Sequence, residues 1–287
     1  MKLATVRTAT GTTAAVETAG GYLPLGAPDV GALLAGTDWR AVVDAALAGG
    51  PAGAIPAGTA ELAAVVPRPA KVICCGLNYA DHILEMGREL PEYPTLFAKF
   101  ADSLTGPADA ITVHGSDKVD WEAELAVVVG SELSHADETE AAAAIAGYTV
   151  ANDVSMRDWQ HRTLQWLQGK AFDASTPLGP ILVTADEFDE DPSFTLRGYV
   201  NGELVQTGDT ATLVFGPARL LSYISGFTTL RPGDVVLTGT PGGVGSGVKP
   251  PRFLADGDVL ATEIDGLGRL ENTVNLVPAN ATATTHA

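Results

Sequence analysis

Cysteine is nearly absent from this 287-residue chain: Cys74 and Cys75 are the only two. As neighbours in the apolar run Lys71-Val-Ile-Cys-Cys-Gly76 they point to opposite faces of a strand, so they are badly placed to bond each other and both are expected in the core. Long apolar runs are missing too. No stretch reaches the roughly 18 uninterrupted apolar residues of a membrane span, and the first ten residues alternate apolar and polar side chains. Neither a membrane helix nor a secretory signal is expected, and a reducing, cytoplasmic setting is. Basic residues are scarce, 17 Lys and Arg against 35 Asp and Glu, for a formal charge of −18. That balance repels nucleic acid and anionic lipid, so no nucleic acid and no membrane is expected as a partner. It repels an anionic substrate as well, so a site for one needs local positive charge from a metal, an arginine or a lysine.

What is abundant is short β-branched sequence. Residues 1–66 are Ala/Gly-rich, with a strand pattern at the start and a helix over 39–47, and read as a small N-terminal accessory domain. Val66-Pro-Arg-Pro69 is a stiff joint. Strand-like runs follow at 71–76, 109–113, 121–130, 147–153, 180–184, 195–207, 233–238, 258–264 and 268–277, so a mainly β domain with some helix, α+β in class, is expected over 70–278. Asn201-Gly202 is a two-residue hairpin signal, and Asp265-Gly-Leu-Gly268 a second turn. One helix opens at Asp137 with Glu140 three residues on and is expected to run through Ile145 to Gly147. Another follows Gly216, with Pro217 in its first turn, and stops at Gly226. The end, 279–287, lacks a periodic apolar face and reads as a flexible tail.

The chemistry starts at Asp120-Trp-Glu-Ala-Glu-Leu-Ala-Val-Val-Val-Gly130. Glu122 and Glu124 are two apart, which a strand places on one face, and adjacent like charges cost energy unless a cation lies between them. An exposed strand end is the plainer reading of one Glu-x-Glu. A second apolar strand, Gly147-Tyr-Thr-Val-Ala-Asn-Asp153, closes on Asp153 in the same way. Three hard oxygen ligands without a nearby Cys/His set favour Mg²⁺, Mn²⁺ or Ca²⁺ over zinc, and leave about three of six octahedral positions for water or substrate.

Around this triad stand groups that suit an anion. A helical reading from Asp153 onward places Arg157 and Gln160 one turn apart on its face, and Lys170 follows. His82 and Glu85 are three apart in Asn78-Tyr-Ala-Asp-His-Ile-Leu-Glu-Met-Gly87, the spacing of a carboxylate-oriented imidazole, ahead of Gly87, Pro91 and Pro94, which suit a flap. Thr238-Gly-Thr-Pro-Gly-Gly-Val-Gly245 lacks the Gly-Lys-Ser/Thr ending of a phosphate loop, and instead brings backbone amides and Thr240 near a small ligand.

In this order the segments resemble the fumarylacetoacetate hydrolase family in its short bacterial form, which includes acylpyruvases, oxaloacetate decarboxylases and hydroxyheptadienedioate isomerases. The resemblance runs from about Lys71 to Val277. It rests on Gly76-Leu-Asn-Tyr-Ala-Asp-His82, Leu96-Phe-Ala-Lys-Phe100, Trp121-Glu-Ala-Glu-Leu125, Ala151-Asn-Asp-Val-Ser155, Arg157-Asp-Trp-Gln160, Gly169-Lys170, Val200-Asn-Gly202, Pro232-Gly-Asp234 and Leu237-Thr-Gly-Thr-Pro241. It implies a mixed, mostly antiparallel β-sandwich roll or barrel, a homodimer, and a metal on Glu122, Glu124 and Asp153. It also implies a lid carrying His82 and Glu85, and a pocket with Arg157, Gln160, Lys170 and Thr240.

On this reading a 2-oxo acid bound at the ion forms a stabilised enolate. Hydrolysis of a C–C bond in a 2,4-dioxo acid of acylpyruvate type, with His82 and Glu85 activating water and Lys170 beside the second oxyanion, ranks first. Decarboxylation of oxaloacetate ranks second and isomerisation third. A non-catalytic metal- or metabolite-binding protein is the rival from another class, and His82, Glu85 and Lys170 argue against it.

Overall fold

Two strands, apolar along most of their length, form the centre of the molecule: all seven residues of Ala123–Val129 and all eight of Ile145–Asn152 are buried. They pair antiparallel in the middle of a ten-stranded sheet in the computed structural model, which describes residues 1–85 and 89–278, apart from the side chains of Asp81, His82 and Glu85. The expected tail, 279–287, lies outside the described residues. In spatial order the sheet runs Gly21–Pro24, Gly11–Thr18, Lys2–Thr8, Thr176–Thr184, Ile145–Asn152, Ala123–Val129, Val235–Leu237, Val72–Gly76 and Thr95–Lys99, with Leu104–Thr105 paired to Thr176–Thr184. The N-terminal strands extend this sheet through pairing of Lys2–Thr8 with Thr176–Thr184.

A second sheet of five strands runs Glu203–Asp209, Thr195–Val200, Val259–Ile264, Gly268–Val277 and Ile111–His114. Its side chains Leu196, Ile264 and Leu270 share one core with Leu125, Val127 and Val150 of the large sheet, so the two sheets pack on each other. Most pairings are antiparallel, as expected for a mixed, mainly β roll. The opposite face of the large sheet buries Leu3, Val128 and Leu182 against the helices Val30–Leu34 and Trp39–Ala48. Cys74 belongs to this second core and Cys75 to the first, the opposite facing that strand alternation dictates. No helix among the described residues is long and apolar enough to cross a membrane.

Local signals set most boundaries. Asn201 and Gly202, both at positive φ, form the hairpin between Thr195–Val200 and Glu203–Asp209. Pro217 opens the helix Pro217–Ser225, which Gly226 caps. Asp137 and Glu140 make a full capping box, but that helix spans only Glu138–Ala143. The expected continuation to Gly147 is corrected because Ile145 already pairs with Val129 in the sheet, where its side chain reaches the core. Sheet pairing outweighs the weak helical preference of one more turn.

Candidate active site

The register of the two central strands brings the carboxylates together. Ala151 lies opposite Glu124 and Asn152 opposite Ala123, so Asp153 comes to stand opposite Glu122, and its amide donates to the Glu122 carbonyl at 2.9 Å. Residues directly opposite across an antiparallel pair share a face, and so do Glu122 and Glu124 at two apart. One oxygen from each of Glu122, Glu124 and Asp153 lies within 4.8 Å of the others, and all three residues are buried. Metal–oxygen bonds of about 2.0–2.6 Å place ligand oxygens about 3–5 Å apart, so this set fits a hard divalent cation.

Cations already lean on two of the three. Lys170 Nζ donates to Glu122 Oε2 and Asp153 Oδ2, both at 2.8 Å, and Arg157 Nη2 lies 2.7 Å from Glu122 Oε1. Burial lowers the basicity of Lys170, but the charges of Asp153 and Glu122 more than reverse this and hold its pKa above the ordinary lysine value. Burial would likewise raise Asp153, yet Lys170 and Lys99 keep it below the usual carboxylate range. Glu124 is different. It has no ion-pair partner among the described residues, and one backbone donor, Gly239 N–H, meets its Oε2 at 2.7 Å. Burial first, then the charges of Asp153 and Glu122, push its carboxyl well above the usual range. A buried carboxylate with two carboxylate neighbours and no paired side-chain cation is the strongest argument for a bound ion here.

Arg157 is clamped. Its Nε donates to Asp120 Oδ2 at 2.7 Å and its Nη1 to Gln160 Oε1 at 2.8 Å. Asp120 is itself held by the N–H groups of Trp121, Gly245 and Ser246 at 2.9, 2.6 and 3.0 Å. The helical reading that ran from Asp153 to Gln160 is corrected: Ser155–Met156 pairs as a strand with Val119–Asp120, and the helix Arg157–Gln160 starts after it. Arg157 and Gln160 still meet, because three residues along a helix are neighbours.

Thr240 leaves the strand Val235–Leu237 on the Gly-rich loop; its hydroxyl donates to Ala123 O at 2.9 Å and accepts from Gln206 Nε2 at 2.9 Å. The structure thus brings Glu122, Glu124, Asp153, Arg157, Gln160 and Lys170 into one cluster, with Thr240 on the backbone of the strand that carries the glutamates. His82 and Glu85 fall on the helix Ala80–Glu85, but their side chains lie outside the described residues.

Two members were missed. Lys99 is fully buried with Nζ at 2.5 Å from Asp153 Oδ1, and Asp120 anchors Arg157. A lysine inside Leu96-Phe-Ala-Lys-Phe100 is the signal that was available, since a charge set among apolar strand residues needs a buried partner. Asp120, next to Trp121-Glu122, offered no comparable sign. With both included, four carboxylates (Asp120, Glu122, Glu124, Asp153) face three cations (Lys99, Arg157, Lys170), a surplus of one negative charge that a bound dication turns into one positive. That is the local reversal an acidic chain needs to hold an anion.

Residues 71–275 match the family described as Fumarylacetoacetate (FAA) hydrolase C-terminal, and the chain belongs to that family of metal-dependent enzymes acting on oxo acids. It is similar to the oxaloacetate tautomerase Fahd2a, mitochondrial, of Rattus norvegicus, at 48% identity over 222 residues, 77% of this chain and 71% of that protein. Its fold matches the solved structure of 5-carboxymethyl-2-hydroxymuconate delta-isomerase from Mycobacterium smegmatis with a TM-score of 0.79 and 31% identity, covering 96% of this chain and 100% of that one. It also matches maleylpyruvate hydrolase from Sphingobium sp. SYK-6 in complex with manganese(II) ion and pyruvate, with a TM-score of 0.80 and 26% identity, over 96% and 99% of the two chains.

Proposed function

We propose that this protein uses a divalent metal to interconvert the keto and enol forms of a small 2-oxo dicarboxylic acid such as oxaloacetate. The observation that carries the reading is the buried cluster itself, in which Glu124 lacks a paired cation among the described residues while Lys170 and Arg157 pair with Glu122, and Lys170 with Asp153 as well. On the family resemblance, C–C hydrolysis ranked first, decarboxylation second and isomerisation third. The order is reversed here because the relatives at 48% identity that carry a substrate in their names are oxaloacetate tautomerases, whereas the relative named a hydrolase at 47% carries no substrate and the solved hydrolases stand at 33% and 26%.

Held by Glu122, Glu124 and Asp153, Mg²⁺ or Mn²⁺ supplies Lewis acidity toward the 2-oxo group. Arg157, fixed by Asp120 and Gln160, pairs with a substrate carboxylate. Lys170, kept protonated by its two carboxylate neighbours, donates to the oxygen that gains charge. Thr240 and Gln160 complete the polar lining. His82 is assigned the base that takes the proton from C3; the C–H electron pair forms the C2–C3 double bond, and the 2-oxo oxygen takes up a proton to give the enol. Proton transfer alone completes this reaction. The same machinery supports a second reading, hydrolysis of an acylpyruvate-type C–C bond with His82 activating water, which the likeness to maleylpyruvate hydrolase favours. A homodimer in the cytoplasm is part of the proposal, and light scattering tests the assembly.

The deciding experiment follows purified protein with Mn²⁺ on oxaloacetate, acetylpyruvate and fumarylpyruvate by NMR in D₂O. Faster keto–enol exchange and deuterium uptake at C3 of oxaloacetate, without loss of carbon, is the expected result. Pyruvate and a second acid from the dioxo acids as the dominant outcome would replace it with the hydrolase reading, and CO₂ release from oxaloacetate would make the protein a decarboxylase.

A further inference from the structure

Asn78 is wholly buried, two residues ahead of the helix Ala80–Glu85, and its amide is spent on backbone from two other segments. Its Nδ2 donates to Thr238 O at 2.8 Å and to Phe215 O at 2.9 Å, and its Oδ1 accepts from Phe215 N at 2.9 Å. Its main-chain carbonyl accepts from Val214 N at 2.8 Å, and the next residue, Tyr79, forms a bridge with Leu213. The start of the helix is therefore fastened to both loops.

One of those bonds has a special address. Thr238 O and Gly239 N–H belong to a single peptide unit, which is planar and rigid. Asn78 holds its carbonyl side; Glu124 Oε2 takes its N–H side at 2.7 Å. Rotating that plane would break both bonds together, and polarisation through the peptide strengthens each while the other is made. The joint is also sterically closed. Gly239 sits at φ +102°, and a Cβ there would lie 2.8 Å from Cys75 O and 3.0 Å from the Asn78 Cβ.

We propose that Asn78 is a positioning residue: by gripping the Thr238–Gly239 peptide it aims the Gly239 N–H at Glu124, and so ties occupancy of the carboxylate site to the order of the helix Ala80–Glu85. The inference rests on the metal-site reading above and adds to it a mechanical link between two parts of the site that are far apart in sequence. Partners that orient a metal-binding carboxylate typically matter by about 10- to 100-fold in affinity.

The test uses Mn²⁺ alone as the probe, on the full chain. Mn²⁺ affinity is measured by electron paramagnetic resonance, and hydrogen exchange is followed at Ile83, whose amide donates to Tyr79 O in the first turn of the helix. In the unmodified protein Mn²⁺ is expected to slow exchange at Ile83. In Asn78→Ala the affinity falls about tenfold or more, and exchange at Ile83 no longer responds to Mn²⁺. Val43→Ala, in the other core, serves as a control for lost stability and keeps both properties. If Asn78→Ala does not fold, Gly239→Ala disturbs the same joint from the far side and carries the same expectation. Unchanged affinity and an intact exchange response in either folded variant overturn the positioning role. Failure of the unmodified protein to bind Mn²⁺ overturns the metal site itself.

Discussion

Lys99 Nζ lies 2.5 Å from Asp153 Oδ1, and neither side chain is exposed to solvent. The other Asp153 oxygen takes Lys170, so this carboxylate is held between two ammonium groups and stays ionised. Glu124 has no such partner among the described residues, and burial with its two carboxylate neighbours disfavours its charge until a cation is bound. Removing one partner of a buried pair costs about 3–5 kcal/mol, because the other charge stays buried unpaired. Lys99→Met should therefore lower the melting temperature of the metal-free protein. Saturating Mn²⁺ should recover more stability in Lys99→Met than in the unmodified protein, which calorimetry with and without the ion would reveal.

Glu124→Ala removes the carboxylate that has no ion-pair partner among the described residues. Mn²⁺ affinity and the rate of C3 deuterium uptake should both fall, the rate on the order of 10²-fold or more, by analogy with the loss of one stabilising group at a reacting oxygen. Chelation should silence the unmodified protein reversibly, with Mn²⁺ restoring it. Full turnover in the chelated protein would remove the metal from the mechanism.

Arg7 forks onto Asp109, Nη1 to Oδ1 at 2.9 Å and Nη2 to Oδ2 at 2.7 Å, tying the strand Lys2–Thr8 to the segment ahead of the five-stranded sheet. Burial would raise the Asp109 carboxyl, but Arg7, the Gly106 N–H and the Thr105 hydroxyl outweigh it and hold it below its ordinary value. A depressed folded-state pKa adds stability above the unfolded-state value of about 3.9 and loses it as pH falls through the folded value. Asp109→Asn should cost about 1 kcal/mol at pH 7, since both side chains are partly exposed. Urea titrations should show this gap closing as the pH is lowered below about 4.

Gly76 lies directly under an indole: a Cβ there would come within 2.6 Å of Trp166 Cζ3. Trp166 in turn meets Phe97 edge-on with ring centroids 5.5 Å apart, and the Phe97 ring lies 5.1 Å from Lys170 Nζ. Gly76→Ala should displace the indole, shift the tryptophan fluorescence and raise KM for oxaloacetate several-fold, with a smaller change in kcat. An unchanged KM with shifted fluorescence would exclude this aromatic wall from the substrate site.

Strand periodicity was enough to put Glu122 and Glu124 on one face and Cys74 and Cys75 on two, because side-chain alternation is a property of the local backbone. The capping box at Asp137, the Asn201-Gly202 turn and Pro217 at a helix start were legible for the same reason. Where that reading failed, contacts distant in sequence had intervened. Ile145 left its helix to pair with Val129, and Ser155 and Met156 became a strand against Val119–Asp120.

The sequence by itself determined which chemical groups this protein has available: three carboxylates on two strand ends, a histidine and a glutamate three residues apart, and an arginine, an amide and a lysine in a chain otherwise short of positive charge. Only the tertiary structure decided how they combine. The antiparallel register set Asp153 across from Glu122, the edge strand delivered Lys99 to Asp153, and the Thr238–Gly239 peptide joined Asn78 to Glu124. Buried charges interact over a few ångströms through space, whereas local spacing governs only residues within a turn or a strand pair, so partners dozens of residues apart become visible only when the chain is folded.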